Sequence, residues 1–529
     1  MAEATQQQLQ ARVLARMEEL TDPSSRWQRA LWTVACVTTL DELVEAARNT
    51  WSGTLSTEHA LNDVRSDAVR VVSSDPGIGK DTLRSQVLVD IKKIKAEDTA
   101  ESRNACGRVE QWRTRIDRDY LRNWAVFLED GRLTEATVEL AARSIVTHLR
   151  SLGYSRTHLR GWIVDRGDSL GVAGLAREAA RNLRGTPRTY SFVVASTHLG
   201  RAARWEDALS AALYSAVQAD FEGAENAREF DLTTIIDTRT VTLDIVAADP
   251  SAALNSLQLR IDRMMTRAAL AAGQIQRPVN RIVLEKTANK LWKLPDPERL
   301  VSIPALKDRK LITSLEDGEL GESLTETLHL LTPHLQATHG VSLATLWASA
   351  EALLGRTQQG GHLVAHRMAS IITCAYPRTL ADDLYPRVKK LSKAGRQFPC
   401  RTDSFASFSK DLMVNELEFT DLTDIAAYYR YRAVIDDPKT VLKRVRQYLT
   451  TLFLRVYYHR NFVMHAGKTS NVSLEAVSGL APSLVAAGVN EMVSGLARGL
   501  TPHALADRAS IELDLLGTDA SRPVLSLLG

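Results

Sequence analysis

The sequence predicts a mainly helical protein built from more than one domain. Three observations support this fold class: a length of 529 residues, long stretches with apolar residues at helical spacing, and a central stretch rich in Thr, Ile and Val. A chain of this length exceeds what one hydrophobic core usually organises. We expect an N-terminal helical region at 1–185, an α+β region at 186–290, a linker or edge segment at 291–320 and a helical domain at 321–529.

Composition and charge predict a globular cytoplasmic protein. The 66 Lys and Arg residues nearly balance the 63 Asp and Glu residues, which excludes a histone-like polycation but permits a local basic groove. The first residues lack a signal-peptide pattern, and no run of about 18 apolar residues occurs, so we expect no membrane partner. The four cysteines are scattered with no short spacing between them, so they indicate neither a CxxC metal site nor a disulfide framework and suit a reducing cytosol: Cys36, Cys106, Cys374 and Cys400.

Amphipathic helices account for the N-terminal region. TLDELVEAARNTW (39–51) has Thr39 as a candidate N-cap, and the segments 108–131 and 133–155 show the same periodicity, with Gly153 as a stop signal. Basic residues follow the second of these helices and the segment before it. They indicate a solvated helix face, with a nucleic-acid surface as the alternative. These basic residues are Arg103, Arg108, Arg113, Arg115, Arg118 and Arg122.

The periodicity changes in the central region. Two helical segments, 203–221 and 250–273, alternate with four strand-like runs in the order β-α-β-β-α-β, which is the ferredoxin-like arrangement. The third run lacks the aromatic pair of an RNA-recognition motif, so we expect a sensor, effector-binding or dimerisation module instead. The strand-like runs are TYSFVVAS (189–196), EFDLTTIID (229–237), RTVTLDIVA (239–247) and VNRIVLEK (279–286).

Three apolar helices are predicted in the C-terminal domain. They cover residues 340–355, residues 362–376, where Pro377 would end the helix, and residues 436–467. Residues 378–434 form a longer connection that we expect to contain helices of its own.

The segment SDPGIGKD (74–81) resembles a phosphate-binding loop only superficially. A Walker A loop has glycine five positions before its Gly-Lys pair and Ser or Thr after the lysine. This chain has Ser74 and Asp81 at those positions, so we expect a Pro-Gly turn before a helix that Asp81 caps.

Histidine clusters are weak candidates for metal binding. His329, His334 and His339 recur every five residues, so their rings cannot share one face of a helix. His362 and His366 have the i, i+4 spacing of a zinc helix but lack the adjacent Glu of HExxH and a third ligand. The sequence therefore predicts neither a metal nor a cofactor.

The strongest candidate site is YYHRNFVMHAGKTS (457–470), at the end of the last long helix. Asn461 and His465 are i and i+4, so they share a helix face, and Arg460 lies beside them. His465 can act as general acid or base toward a ribose 2′-hydroxyl, Arg460 can bind the phosphate and its transition state, and Asn461 can position either group. Basic residues also favour helix C-termini for electrostatic reasons, so the spacing alone permits a purely structural role.

A wider resemblance favours the catalytic interpretation. The segment LFLRVYYHRNFVMHAG (452–467) resembles the signature of HEPN (higher eukaryotes and prokaryotes nucleotide-binding) domains, most of all the Apea-like branch. LWASAEALLG (346–355) resembles the first helix of that branch, with Glu351 at its acidic position, and HLVAHRMASII resembles the second helix. The resemblance covers about residues 320 to 515, and the connection at 378–434 is longer than the compact family pattern.

The resemblance implies an all-α bundle that forms a homodimer and cleaves RNA without a metal, leaving a 2′,3′-cyclic phosphate. It implies that Arg460, Asn461 and His465 are the catalytic residues, and that Glu351 can orient Arg460 or His465. Relatives act in antiviral defence or toxin–antitoxin systems, so a phage-derived or antitoxin regulator is an expected partner. The alternatives are a HEPN module that binds RNA, nucleotide or a protein without catalysis, and a purely structural helical protein.

Overall fold

The computed structural model is mainly helical and contains one small sheet. It describes residues 5–23, 26–29, 33–53, 58–183, 187–196, 220–232, 239–272, 281–295, 301–307, 319–335, 343–355, 360–392, 419, 421–466, 472–516, 524 and 527–528.

The structure describes seven helices in the N-terminal part, and they pack around one apolar core. The predicted face of the fifth helix is in this core, where Ile116, Tyr120 and Trp124 are almost completely buried. Thr39 was predicted to be an N-cap, but it lies inside the second helix, which begins three residues earlier at Cys36. The helices are α1 (Gln6–Thr21), α2 (Cys36–Trp51), α3 (Glu58–Ser74), α4 (Asp81–Lys93), α5 (Ala100–Glu129), α6 (Glu135–Ser151) and α7 (Arg156–Asn182).

Several of the arginines along α5 form ion pairs with carboxylates. Arg108 donates to Asp90 over 2.9 Å, and Arg113 donates to Asp41 over 2.9 Å. Arginines held in such pairs are less available to phosphate groups, so these contacts favour a solvated helix face over a nucleic-acid surface.

The segment 74–81 is a turn, and its aspartate is part of the core. Asp75 accepts hydrogen bonds from the Gly77 backbone over 2.8 Å and from the Tyr120 hydroxyl over 2.5 Å. A side chain at Gly77 would overlap the rings of Tyr120 and Trp124, so the turn requires glycine there. Asp81 is the first residue of α4 rather than its N-cap, which is Lys80.

Asp75 should make stability depend on pH. Burial raises the pKa of Asp75 to about 6 from an ordinary value of 3.8, so the folded chain holds a proton that the unfolded chain releases between these values. Raising the pH through this window should remove roughly 1–3 kcal/mol of stability. Asp75→Asn keeps the oxygen that accepts from Gly77 and places an amide NH2 that can donate to the Tyr120 hydroxyl. It should abolish this fall in urea denaturation midpoints measured from pH 4.5 to pH 7.5. The exposed Asp81→Asn is the matched control, and an unchanged pH profile in Asp75→Asn would contradict the assignment.

The central part contains a four-stranded antiparallel sheet in the order β2-β1-β3-β4. Helix α8 covers one face through Leu254, Leu257 and Ile261, and Phe221 packs on the other face. The elements are β1 (Arg188–Ser196), β2 (Arg239–Ala247), α8 (Pro250–Ala272), β3 (Ile282–Glu285) and β4 (Lys290–Lys293).

Three sequence predictions for this part differ from the structure or lie partly outside the described residues. Of the strand predicted at 229–237, Glu229 ends a short 3₁₀ helix, residues 230–232 are outside the sheet, and residues 233–237 lie outside the described residues. The predicted helix 203–221 also lies outside them except for its last two residues. The segment 291–320, predicted to be a linker or edge segment, begins within the edge strand β4.

The C-terminal part is a helical bundle with its own apolar core. Its centre is the packing of the two longest helices, to which Met368, Ile372, Leu449 and Phe453 contribute buried side chains. The helices are α9 (Glu319–Leu331), α10 (Leu343–Leu354), α11 (Gly361–Ser392), α12 (Leu422–Asp436), α13 (Pro438–Ala466), α14 (Leu474–Ser478), α15 (Ala481–Leu496) and α16 (Pro502–Asp514).

Helix α11 does not end before Pro377, as the sequence predicted, but continues through Pro377 and Pro386 to Ser392. An internal proline costs a helix about 3 kcal/mol. Apolar residues on both sides of Pro377, including Ile372 and Leu380, are almost completely buried. Their packing outweighs the local cost, so part of the predicted connection 378–434 is an extension of this helix.

Among the described residues, one helical segment, Ala476–Leu496, is long and apolar enough to cross a membrane. Inside the bundle 67% of its apolar window is buried, and Leu484, Val489 and Met492 are in the core. Packing within the protein therefore accounts for its composition.

Buried ion pairs join the N-terminal helices to the C-terminal bundle. Glu19 on α1 is completely buried and accepts from Arg430 on α12 over 2.7 Å. Arg455 on α13 donates to Glu42 and to Asp67, over 2.7 and 2.8 Å. These contacts place α3 directly beside α13, the helix that carries the candidate site.

Candidate functional site

Three of the predicted site residues lie together near the end of α13. Nη1 of Arg460 donates to Oδ1 of Asn461 over 3.2 Å, and Nη2 lies 3.7 Å from Oε2 of Glu351. These two contacts position the guanidinium. The side chains of Arg460 and Glu351 are 29% and 31% exposed, so an anion can still reach the guanidinium.

His465 is in the last turn of α13, which ends at Ala466. Its side chain lies outside the described residues. The continuous helix from Asn461 to His465 keeps these two positions on the same face, one turn apart.

Aromatic packing sets the position of Glu351. Trp347 on α10 is completely buried, and its ring centroid lies 5.3 Å from that of Tyr457 on α13. Glu351 follows Trp347 by one turn, and Arg460 follows Tyr457 by one turn, so the ring contact brings the carboxylate to the guanidinium. This is a contact between helices that the sequence spacing alone did not predict.

A second polar cluster, next to the first, was not predicted. The Tyr458 hydroxyl donates to Oδ2 of Asp63 on α3 over 2.5 Å. His362, near the beginning of α11, has Nδ1 3.3 Å from the same Asp63 oxygen and Nε2 3.2 Å from the Tyr458 hydroxyl. Burial, together with Asp63, raises the pKa of Tyr458 far above its ordinary value, so the phenol remains a donor. We call Asp63, His362 and Tyr458 the His362 cluster.

Helix α3 runs antiparallel to α13. Asp67 contacts Arg455, and Asp63 contacts Tyr458 one turn further along α13. His59, one turn before Asp63, therefore lies beside the last turns of α13, and its ring centroid is 5.9 Å from that of His362. In the sequence, the one indication of this cluster is the histidine pair 362/366, whose spacing resembles a metal site.

Two further histidines are near the site, His459 in the core and His366 on the exposed side of its helix. His459 is buried, and its Nδ1 has no hydrogen-bond partner within the described part of the chain. Burial lowers the pKa values of His459 and His366, which favours their neutral forms. Among the described residues, no group of three or more His, Cys, Asp or Glu side chains is arranged to hold a metal ion.

Comparison of the chain with protein-family models, with curated proteins and with solved structures found no match.

Proposed function

We propose that the protein is an endoribonuclease that cleaves RNA without a metal ion, by attack of a ribose 2′-hydroxyl on the adjacent phosphate. The observation that supports this proposal is the position of Arg460 between Glu351 and Asn461, one turn before His465 on a helix end that is partly exposed. These are the side chains that an internal transesterification requires: a phosphate ligand, a positioning amide and an imidazole.

Each residue has one chemical task in this proposal. Arg460 binds the phosphate and stabilises the additional negative charge of its transition state. Asn461 positions the phosphate, Glu351 orients the guanidinium, and His465 takes or gives a proton. The attacking oxygen belongs to the substrate and is already near phosphorus, so its activation can proceed by proton transfer alone.

We also propose a specific fold for the C-terminal bundle and for the sheet region. The C-terminal bundle would be HEPN-type, and a homodimer would bring two His465 side chains to one composite site. The sheet region would be ferredoxin-like, because β1 pairs antiparallel with both β2 and β3, as the first strand of that arrangement does.

We also propose that the enzyme is a regulated cytoplasmic effector of antiviral defence or a toxin. The support is the packing of α3 on α13, where Asp63 and Asp67 contact Tyr458 and Arg455 directly. A phage-derived or antitoxin partner that moves α3 would therefore act on the helix that carries the site.

One comparison tests the proposed reaction. Purified protein, incubated in EDTA with total RNA or tRNA and with or without phage-derived components, should cleave RNA. His465→Ala should not. Identical RNA profiles for the two proteins under every trigger would contradict the catalytic proposal.

Glu351→Gln should reduce cleavage about 10-fold, chiefly through kcat, because the amide keeps the size of the side chain but holds the guanidinium less firmly. Initial rates over a range of RNA concentrations would separate kcat from KM. The exposed Glu326→Gln on α9 is the matched control. Wild-type kinetics in Glu351→Gln would remove Glu351 from the site.

The alternative is a module that binds RNA or nucleotide without cleaving it. The partial exposure of Arg460 permits this function, because its guanidinium can bind a phosphate whether or not His465 transfers a proton. RNA binding that persists in His465→Ala, with no cleavage by either protein, would support it.

A further inference from the structure

We propose that His362 is a second proton-transfer group of the candidate site, acting as general acid opposite His465. One chain would then contain both the acid and the base that RNA cleavage needs. This inference rests on the proposed ribonuclease function, and it differs from the composite site, in which a second copy of the chain supplies the other imidazole.

The ring of His362 lies on the same side of α13 as Asn461. Its centroid is 5.7 Å from the ring of Tyr457 and 5.8 Å from the ring of Tyr458, so it is placed between these two positions. Asn461 follows Tyr457 by four residues and Tyr458 by three, which puts its side chain over the same gap, about 5 Å further along the axis. His465 is one more turn along that face. A phosphate bound at Asn461 and Arg460 would therefore lie between the ring of His362 and the helix position of His465.

The backbone around His362 is fixed. A side chain on the preceding residue, Gly361, would overlap the ring of Tyr457, so α11 begins in direct contact with α13. Such contact limits how far the imidazole can move, and proton transfer depends on distances within hydrogen-bond range.

Asp63 and Tyr458 orient the imidazole. Nε2 has the Tyr458 hydroxyl as its hydrogen-bond partner over 3.2 Å. Nδ1 lies 3.3 Å from Oδ2 of Asp63, which is close enough for an electrostatic contact with the protonated ring. The contact of Nε2 is at the long end of the hydrogen-bond range, and the side chain is 33% exposed. A substrate oxygen can therefore replace Tyr458 as the partner of Nε2.

The proposed reaction is a transesterification. The 2′-oxygen forms a bond to phosphorus while its proton passes to His465. The bond between phosphorus and the 5′-oxygen breaks, and that oxygen takes the proton from Nε2 of His362, which enters the step as the imidazolium while His465 enters it as the neutral base. The products are a 2′,3′-cyclic phosphate and a 5′-hydroxyl, and proton exchange with water restores both imidazoles.

A substrate with a better leaving group tests this role. An RNA oligonucleotide with sulfur in place of the bridging 5′-oxygen at its cleavage site releases a thiolate, which needs no proton from the enzyme. On ordinary RNA, His362→Ala should cleave about 10²–10⁴ times more slowly than the wild type. On the sulfur-substituted RNA, the cleavage rate of His362→Ala should be within about 10-fold of the wild-type rate, because the leaving thiolate does not need to be protonated. His465→Ala should remain impaired on both substrates.

Two variants control for structure. His362→Gln retains hydrogen-bonding groups toward Asp63 and Tyr458 but cannot supply the proton, so it should behave like His362→Ala. His329→Ala, an exposed histidine on α9, should cleave both substrates at the wild-type rate.

The proposal is overturned if His362→Gln cleaves ordinary RNA like the wild type, or if its loss is equally large on both substrates. The second result would indicate a positioning role. A wild-type protein that cleaves neither substrate would instead contradict the proposed ribonuclease function itself, and this inference with it.

Discussion

Replacing Arg460 with alanine should lower the rate of RNA cleavage by about 10²–10³ and leave the fold intact. The guanidinium is the one cation of the site whose contacts are described, and it is partly exposed. Its loss removes the group that stabilises the added charge on phosphorus. Because Glu351 would be left without this partner, RNA binding should weaken as well.

Arg460→Lys should recover only part of this loss, because an ammonium keeps the charge but not the planar fork that can hold two phosphate oxygens. Arg444→Ala, four to five turns earlier on α13, is the matched control and should cleave RNA normally. Circular dichroism and the urea midpoint would confirm folding. Wild-type cleavage by a folded Arg460→Ala protein would exclude Arg460 from the chemistry.

Replacing Glu19 with alanine should destabilise the protein by about 3–5 kcal/mol, the largest stability effect we expect. Glu19 is completely buried and is shared by Arg16, Arg29 and Arg430. Burial alone would raise the pKa of Glu19, but Arg430 and Arg16 outweigh it and hold the pKa below its ordinary value. Without the carboxylate, Arg430 remains as a buried charge at the contact between α1 and α12.

The urea midpoint at pH 7.5 measures this effect. Glu135→Ala is the matched control, since its ion pair with Arg12 is on the surface and should contribute less than about 1 kcal/mol. The double variant Glu19→Leu/Arg430→Leu should recover much of the loss, because it removes both buried charges together. If Glu19→Ala and Glu135→Ala have equal stability, the N-terminal helices do not depend on this contact.

Local sequence signals located about half of the described helices, among them α2, α5, α6, α8, α10 and α13. The apolar spacing of Ile116, Tyr120 and Trp124 sufficed for α5, because one face of a long helix must be buried wherever it packs. The prediction that α11 ends before Pro377 was wrong. It rested on the tendency of proline to end a helix, which takes no account of the buried side chains packed on either side of Pro377.

The candidate site was predictable only where its residues are close in sequence. Arg460, Asn461 and His465 share one helix, and Glu351 was added by resemblance to a family. The His362 cluster could not be found in this way, because Asp63 and Tyr458 are separated by 395 residues and their contact depends on how α3 packs against α13. A single aspartate in an amphipathic helix carries no local signal of such a partner.

The chemistry of the cleaved ends tests the central claim most directly. A defined RNA would be incubated with the wild-type protein in EDTA, under conditions that give cleavage, and its products analysed by mass spectrometry. Attack by the 2′-hydroxyl predicts 2′,3′-cyclic phosphate and 5′-hydroxyl ends, and a 2′-deoxynucleotide at the cleavage site should block the reaction. Products with 3′-hydroxyl and 5′-phosphate ends, or cleavage that requires a divalent metal, would contradict the proposed function.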